Sequence, residues 1–267
     1  MTFGHLTKLQ MEVTLGYLRT FDTPQTPTLA AALACFGKAH LYLAMGQKDL
    51  ALADARQLAQ TPMGLDPLVF TAHYALLYEN GLAPPEFNDI GTNLITELRQ
   101  TEQSVRESGR IRLACKLLSR TGHHITVEPI PANMIRLLSQ PETILTASEN
   151  ELSDLANHII LEPLSIGVEQ GDILALVALS LLRDYKIDTA SKICRALLSI
   201  GFRNSLLSEA ISFVELQRGR DGGYGFFDPF SEAAVNPLAL EGGFRLPITV
   251  NALWLFTADM LCTRSAC

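Results

Sequence analysis

The chain has 267 residues, of which 48% are hydrophobic and 18% charged, enough apolar material for a substantial core. A net charge of −7 with no basic stripe excludes a nucleic-acid binder, because phosphate neutralisation needs clustered Lys and Arg. No run reaches the ~18 apolar residues of a membrane span; the most apolar stretch, Ile173 to Leu182, ends at Arg183 and Asp184.

The N-terminus, Met1 to Lys8, has no basic region followed by an apolar stretch, so no secretory signal is expected. Five scattered cysteines (Cys35, Cys115, Cys194, Cys262, Cys267) read as reduced thiols of a cytoplasmic protein. In chain order, helical periodicity predicts helices over 5–20, 28–45, 48–60, 67–80, 89–103, 106–120, 130–138, 149–160 and 172–184. Next comes the stripe Ala190, Ile193, Cys194, Leu197, Leu198, with Asp188 as expected N-cap and Gly201 as stop. Leu206, Leu207, Ala210, Ile211 and Val214 repeat the pattern after Asn204, and a last helix spans about 248–263. Period-2 alternation is confined to Ile125-Thr126-Val127. The expectation is an all-α protein of antiparallel hairpins, in one domain over 1–267, with 121–131 the strongest candidate boundary and 161–171 a weaker one.

The most informative segment follows the helix ending near Gln217: Asp221-Gly222-Gly223-Tyr224-Gly225-Phe226. Three glycines in four residues allow left-handed backbone and close approach, and the aromatics supply bulk to bury. Asp221 is expected to accept a bond from the N–H two residues on. This stretch resembles the Gln…Asp-Gly-Gly-aromatic-Gly turn of α/α-toroid proteins, the triterpene cyclases and protein prenyltransferase β subunits among them. The resemblance implies a closed or nearly closed α/α toroid, with Gln217, Asp221, Gly222, Gly223 and Gly225 building a structural corner. Pro67 to Leu76 can be laid on Pro247 to Phe256, each with Pro at the helix start, then Ala and an aromatic at matching offsets. Both would be inner helices of such a ring.

The catalytic motifs of the best-known toroids are missing: there is no Asp-x-Asp-Asp and no Asp-Asp-x-x-Asp. His-Glu-x-x-His, Cys-x-x-Cys, Gly-x-x-x-x-Gly-Lys-Ser/Thr and Gly-x-Ser-x-Gly are missing too. Neither a metal nor another cofactor is expected. His73 in Thr71-Ala72-His73-Tyr74 is the candidate general base. That helix resembles one in a group of actinobacterial helical proteins, some encoded beside natural-product genes. Trp254, Tyr224, Phe226 and Asn251 are the expected ligand-binding wall. His123-His124 is a weak metal candidate, His40 reads as packing, and His158 as a surface partner of Asp154 one turn earlier. Cys115, between Arg112 and Lys116, reads as a buried small hydrophobe.

These features imply a cytosolic bacterial biosynthetic protein that binds, and cyclises or rearranges without metal, an apolar or amphipathic small molecule in a central helical cavity. The alternative is a non-catalytic scaffold for a protein partner. Residues 35–67, with Tyr42, Gly46, Ala51 and Ala55, resemble one tetratricopeptide unit, though Pro84-Pro85 fall where the next unit's second helix should lie.

Overall fold

The computed structural model describes residues 6–23, 26, 28–60, 66–82, 87, 89, 92–93, 96, 108–123, 130, 132–162, 166–225 and 241–265. The described residues are helical apart from turns and isolated β-bridges, one of them pairing Arg218 with Tyr224. The helices are α1 (Lys8–Arg19), α2 (Thr28–Ala44), α3 (Lys48–Ala59), α4 (Pro67–Glu79), α5 (Ser108–Arg120) and α6 (Ala132–Ser139). A 3-10 turn (Pro141–Thr146) leads to α7 (Glu149–Leu161), α8 (Val168–Arg183), α9 (Ile187–Ser199) and α10 (Ser205–Leu216). A π turn (Glu241–Arg245) opens α11 (Leu246–Ser265). No helix among the described residues is long and apolar enough to cross a membrane. Of the expected helix over 89–103, residues 89, 92–93 and 96 are described and are helical, and the Ile125–Val127 alternation lies outside the described residues.

Sequence-local chemistry sets the ends. Thr7 with Gln10, and Ser148 with Glu151, close reciprocal capping boxes on α1 and α7. Asp66 accepts from the amides of Leu68 (3.0 Å) and Val69 (3.1 Å), and Pro67 fills the first helical position, where no amide proton is needed. Asn204 caps α10 as expected, accepting from Leu207 N at 2.7 Å. The cap of α9 is Lys186 instead of Asp188, which sits inside the first turn where an acid favours the helix dipole.

At the other ends one device recurs. Gly46, Gly81, Gly122 and Gly201, just past α2, α4, α5 and α9, all have φ between +75° and +90°. The next residue's amide then reaches back into the last turn: Gln47 N to Tyr42 O, Leu82 N to Leu77 O, His123 N to Leu118 O and Phe202 N to Leu197 O. Only glycine takes that conformation without steric cost, so these residues stop the helices.

The helices pack in alternation. α2 lies against α4, α4 against α5, α5 against α7, α7 against α9 and α9 against α11, and α11 returns to α2. The intervening helices cover them: α1 and α3 pack on α2, α6 on α7, and α8 and α10 on α9. α9 is accordingly buried nearly all round, with Ile187, Ala190, Ile193, Cys194, Ala196, Leu197 and Leu198 at most 2% exposed. Outside this packing, the buried Lys38 of α2 ties α3 and the chain after α1 together through Asp54 (2.8 Å) and Asp22 (2.7 Å).

The glycine corner locks the start of α11 against α1. Gly219 N donates to Gly223 O (2.7 Å) and Gly225 N to Gln217 O (3.1 Å). Asp221 accepts from Gly223 N at 3.2 Å and forms a two-pronged pair with Arg245, both contacts at 2.9 Å. Arg245 Nε also holds Gly225 O, and its guanidinium lies 5.2 Å from the Tyr17 ring centre. Left-handed backbone falls at Gly222 and Gly225, not at Gly223. Gly223 is small for another reason: a Cβ there would meet Arg245 Nη2 at 2.6 Å and the Tyr17 ring at 2.9 Å. Gly222 is tighter, because a Cβ would meet the Thr14 backbone at 2.6 Å in a region that L-residues avoid.

Gly222→Ala should therefore lose about 2–4 kcal/mol of stability in urea melts, combining strain and overpacking; an unchanged midpoint would show that the corner does not press on α1. The bonds from Arg245 hold the Asp221 carboxyl below the usual carboxylate range. That stabilisation is complete above the unfolded-state pKa, about 4, and is lost as pH falls through the folded value. The stability gap between the protein and Asp221→Asn should thus be largest near neutrality and close in acid; a gap independent of pH would contradict the ion pair.

Candidate functional site

A cavity of about 610 Å³ lies where the alternate helices meet, within the size range of small-molecule sites. It is lined by His40 of α2, Ala72, Ala75, Leu76 and Glu79 of α4, and Leu113, Leu117 and Arg120 of α5. Ile160 of α7, Arg195, Leu198 and Ser199 of α9, and Trp254, Thr257 and Ala258 of α11 complete most of the wall, with Gly201 and Arg203 following α9. On α4 the lining positions fall at i, i+3, i+4 and i+7, one helical face. α2, α4, α5, α7 and α9 contribute mainly from their C-terminal halves, so the carbonyl-rich, partially negative ends of those helices approach the cavity. The wall is apolar apart from a few convergent groups.

Three arginines line it. Arg120 pairs with Glu79 at 3.7 Å, and Arg203 bonds the Asp259 carboxylate. Arg195 is different. It is 3% exposed, its guanidinium lies 3.5 Å above the Trp254 ring centre, and its Nη1 reaches Asn251 Oδ1 at 3.4 Å. Its Nε has no hydrogen-bond partner among the described residues. Asp188, the nearest carboxylate in this chain of contacts, is reached only through Asn251 Nδ2 (2.6 Å) and is itself paired with Lys192. Burial pulls the Arg195 pKa down to about 9, with Asp188 opposing that shift.

His40 supplies the other polar contact. Its Nδ1 lies 2.9 Å from Thr257 Oγ1, and that hydroxyl donates to Leu253 O at 3.0 Å. With the hydroxyl proton so committed, Oγ1 accepts, and His40 carries its proton on Nδ1. Nε2 is left as a buried lone pair with no partner among the described residues. Burial, reinforced by His73 and Arg195, pushes the His40 pKa down to about 3, so the ring is neutral at pH 7.

The residues expected from sequence divide between this cavity and the core. Trp254 lines the cavity and meets Phe36 edge-on at 5.2 Å. Asn251 touches the site only through Arg195. Tyr224 is a core residue packed near Phe256, its amide bonded to Thr249 Oγ1 at 2.9 Å, and burial raises its phenol pKa. It does not line the cavity. Phe226 lies outside the described residues.

His73, the expected base, is fully buried beside Phe36 and Phe87 and is not among the cavity-lining residues. Neither of its nitrogens has a partner among the described residues, and burial, then Lys38, push its pKa down to about 3. Its neighbour Ala72 faces the cavity; a one-residue step on a helix turns His73 some 100° away from that face. The histidine missed by sequence reasoning is His40, one turn after Phe36 on α2.

His158 is not on the surface: it is 1% exposed, and burial lowers its pKa. His123 Nδ1 bonds Thr121 Oγ1, whereas His124 lies outside the described residues. Among the described residues no three His, Cys, Asp or Glu side chains gather as a metal site. Cys35, Cys115 and Cys194 are buried and in no disulfide. The chain matches no known protein family, no curated protein and no solved structure.

Folding depresses the His73 pKa below its unfolded value near 6.5, so the unfolded state takes up a proton first as pH falls. One such histidine lowers stability by about 2 kcal/mol between pH 7 and pH 5. His73→Leu should accordingly equal or exceed the parent in stability at pH 7 and resist acid better at pH 5, since it also removes two unsatisfied buried atoms. Marked destabilisation at pH 7 would show that the imidazole has a partner the protein depends on.

Proposed function

We propose that this protein is an α/α toroid that holds an apolar or amphipathic small molecule in its central cavity, as a cytosolic bacterial biosynthetic protein. The observation that carries this reading is that one cavity is lined by all six of the helices that pack in sequence from α2 round to α11. The alternation of lining and covering helices, and the return of α11 onto α2, are what a closed ring of hairpins requires. A linear tetratricopeptide-like scaffold has no reason to bring its last helix onto an early one. The cavity's mixture of apolar wall and a few convergent polar groups is the usual make-up of a ligand site.

The chemistry on offer is proton transfer and electrostatic anchoring. The His40 imidazole, fixed by Thr257, stands on the cavity wall as a neutral ring near Trp254 and the aliphatic residues. Of the two histidines, His40 and not His73 stands at the cavity, and a pKa of about 3 makes its neutral ring a weak base.

The test uses Trp254, the single tryptophan of the chain, as the reporter. A submicellar medium-chain alcohol such as decan-1-ol should change Trp254 emission saturably, and Ala75→Phe, which fills the buried α4 side of the cavity, should weaken that response at least ~10-fold with helicity unchanged. No saturable response in the parent protein, or an undiminished one in Ala75→Phe, would defeat the cavity reading.

A further inference from the structure

We propose, building on the small-molecule reading above, that the cavity is specific for amphiphiles bearing a single carboxylate, with the guanidinium of Arg195 as the headgroup anchor. Three observations lead there. Arg195 is a buried cation on the cavity wall, and no carboxylate among the described residues lies within ion-pair distance of it. The other lining arginines are already balanced, Arg120 by Glu79 and Arg203 by Asp259, so among the described residues Arg195 is the lining cation without an ion-pair partner. And the Arg195 side chain is held in place by what lies behind it: Trp254 stacks on its face and Asn251 takes a long bond from Nη1, while Nε stays unbonded.

A buried charge without a counterion costs several kcal/mol in a low-dielectric interior. The C-terminal helix ends around the cavity make a cation tolerable there, but they supply no counterion. A carboxylate in the cavity supplies an ion-pair partner: its two oxygens match the planar fork of a guanidinium, and its single charge equals the one lining cation without an ion-pair partner among the described residues. A diphosphate would bring two or three further charges that nothing on this wall balances. The apolar residues Ala72, Ala75, Leu76, Leu113, Leu117 and Ile160 then face the hydrocarbon part.

The experiment compares decanoate with decan-1-ol at pH 7.5 and submicellar concentration, following Trp254 emission, in 0.1 and 0.5 M NaCl. Because the guanidinium sits against the indole, a headgroup bound there reports directly. Decanoate should bind at least ~10-fold more tightly than the alcohol, and the preference should survive 0.5 M salt, since a buried pair is screened little. Arg195→Gln should erase the preference, with decanoate and decan-1-ol then bound within ~3-fold of each other in the variant. If Arg195→Gln does not fold, the comparison in the parent protein at both salt concentrations decides. Equal binding of acid and alcohol overturns the carboxylate assignment while the cavity reading stands. A preference lost at 0.5 M salt, or kept in Arg195→Gln, places the anion on a basic group other than Arg195 and also overturns it. Failure of both ligands to bind overturns the cavity reading and the assignment together.

Discussion

The packing of α11 against α2 is the constraint on which the rest of this molecule depends. It joins residues far apart in sequence: His40 and Thr257, hydrogen-bonded across that seam, are separated by 217 positions. Every other step of the series, α2 to α4 to α5 to α7 to α9 to α11, links helices close in sequence. The last step fixes the walls of the cavity, because His40 comes from one end of the chain and Trp254, Thr257 and Ala258 from the other. The glycine corner serves the same seam. Asp221 and Arg245 set where α11 begins, and Gly222 and Gly223 let that assembly press against Thr14 and Tyr17 of α1, which packs on α2.

Burial sorts the polar side chains into those the fold neutralises and those it leaves charged. His40, His73 and His158 are buried deeply enough that the neutral imidazole is favoured, and three neutral rings cost the core less than three cations would. Lys38 keeps its charge because two aspartates meet it. Arg195 keeps its charge because a guanidinium resists deprotonation even when burial depresses its pKa to about 9. Among these groups, only Arg195 and His40 combine burial, a cavity position and an atom without a partner among the described residues.

Much of this was legible in the sequence, and the failures have physical causes. The all-helical class followed from 3.6-residue periodicity, and the corner from its three glycines, with Asp221 bonding Gly223 N as turn chemistry requires. Trp254 was placed on the ligand wall by laying its helix on α4, and it does line the cavity. The same overlay misplaced His73, because it was chosen for its chemistry and not for the face it occupies: Ala72, Ala75, Leu76 and Glu79 mark the inward face and leave His73 in the core. The i, i+4 spacing of Asp154 and His158 suggests a surface pair, but α7 is buried nearly all round at that end. Two signals went unused. The helix-stopping glycines Gly46, Gly81 and Gly122 recur roughly every 40 residues, and Gly201 follows at about twice that interval, which is the period of a hairpin repeat. Arg195, lone and charged within Ile193-Cys194-Arg195-Ala196-Leu197-Leu198, stood in a run otherwise made for burial.

The seam between α2 and α11 can be tested without any ligand, by native-state hydrogen exchange resolved to individual helices. If α11 closes onto α2 and the six lining helices form one cooperative unit, the slowest amides of α2 and α11 should be as protected as those of α9 and should exchange only through global unfolding. Protection that declines stepwise from α9 toward both chain ends, as a linear array of hairpins would give, would contradict the account.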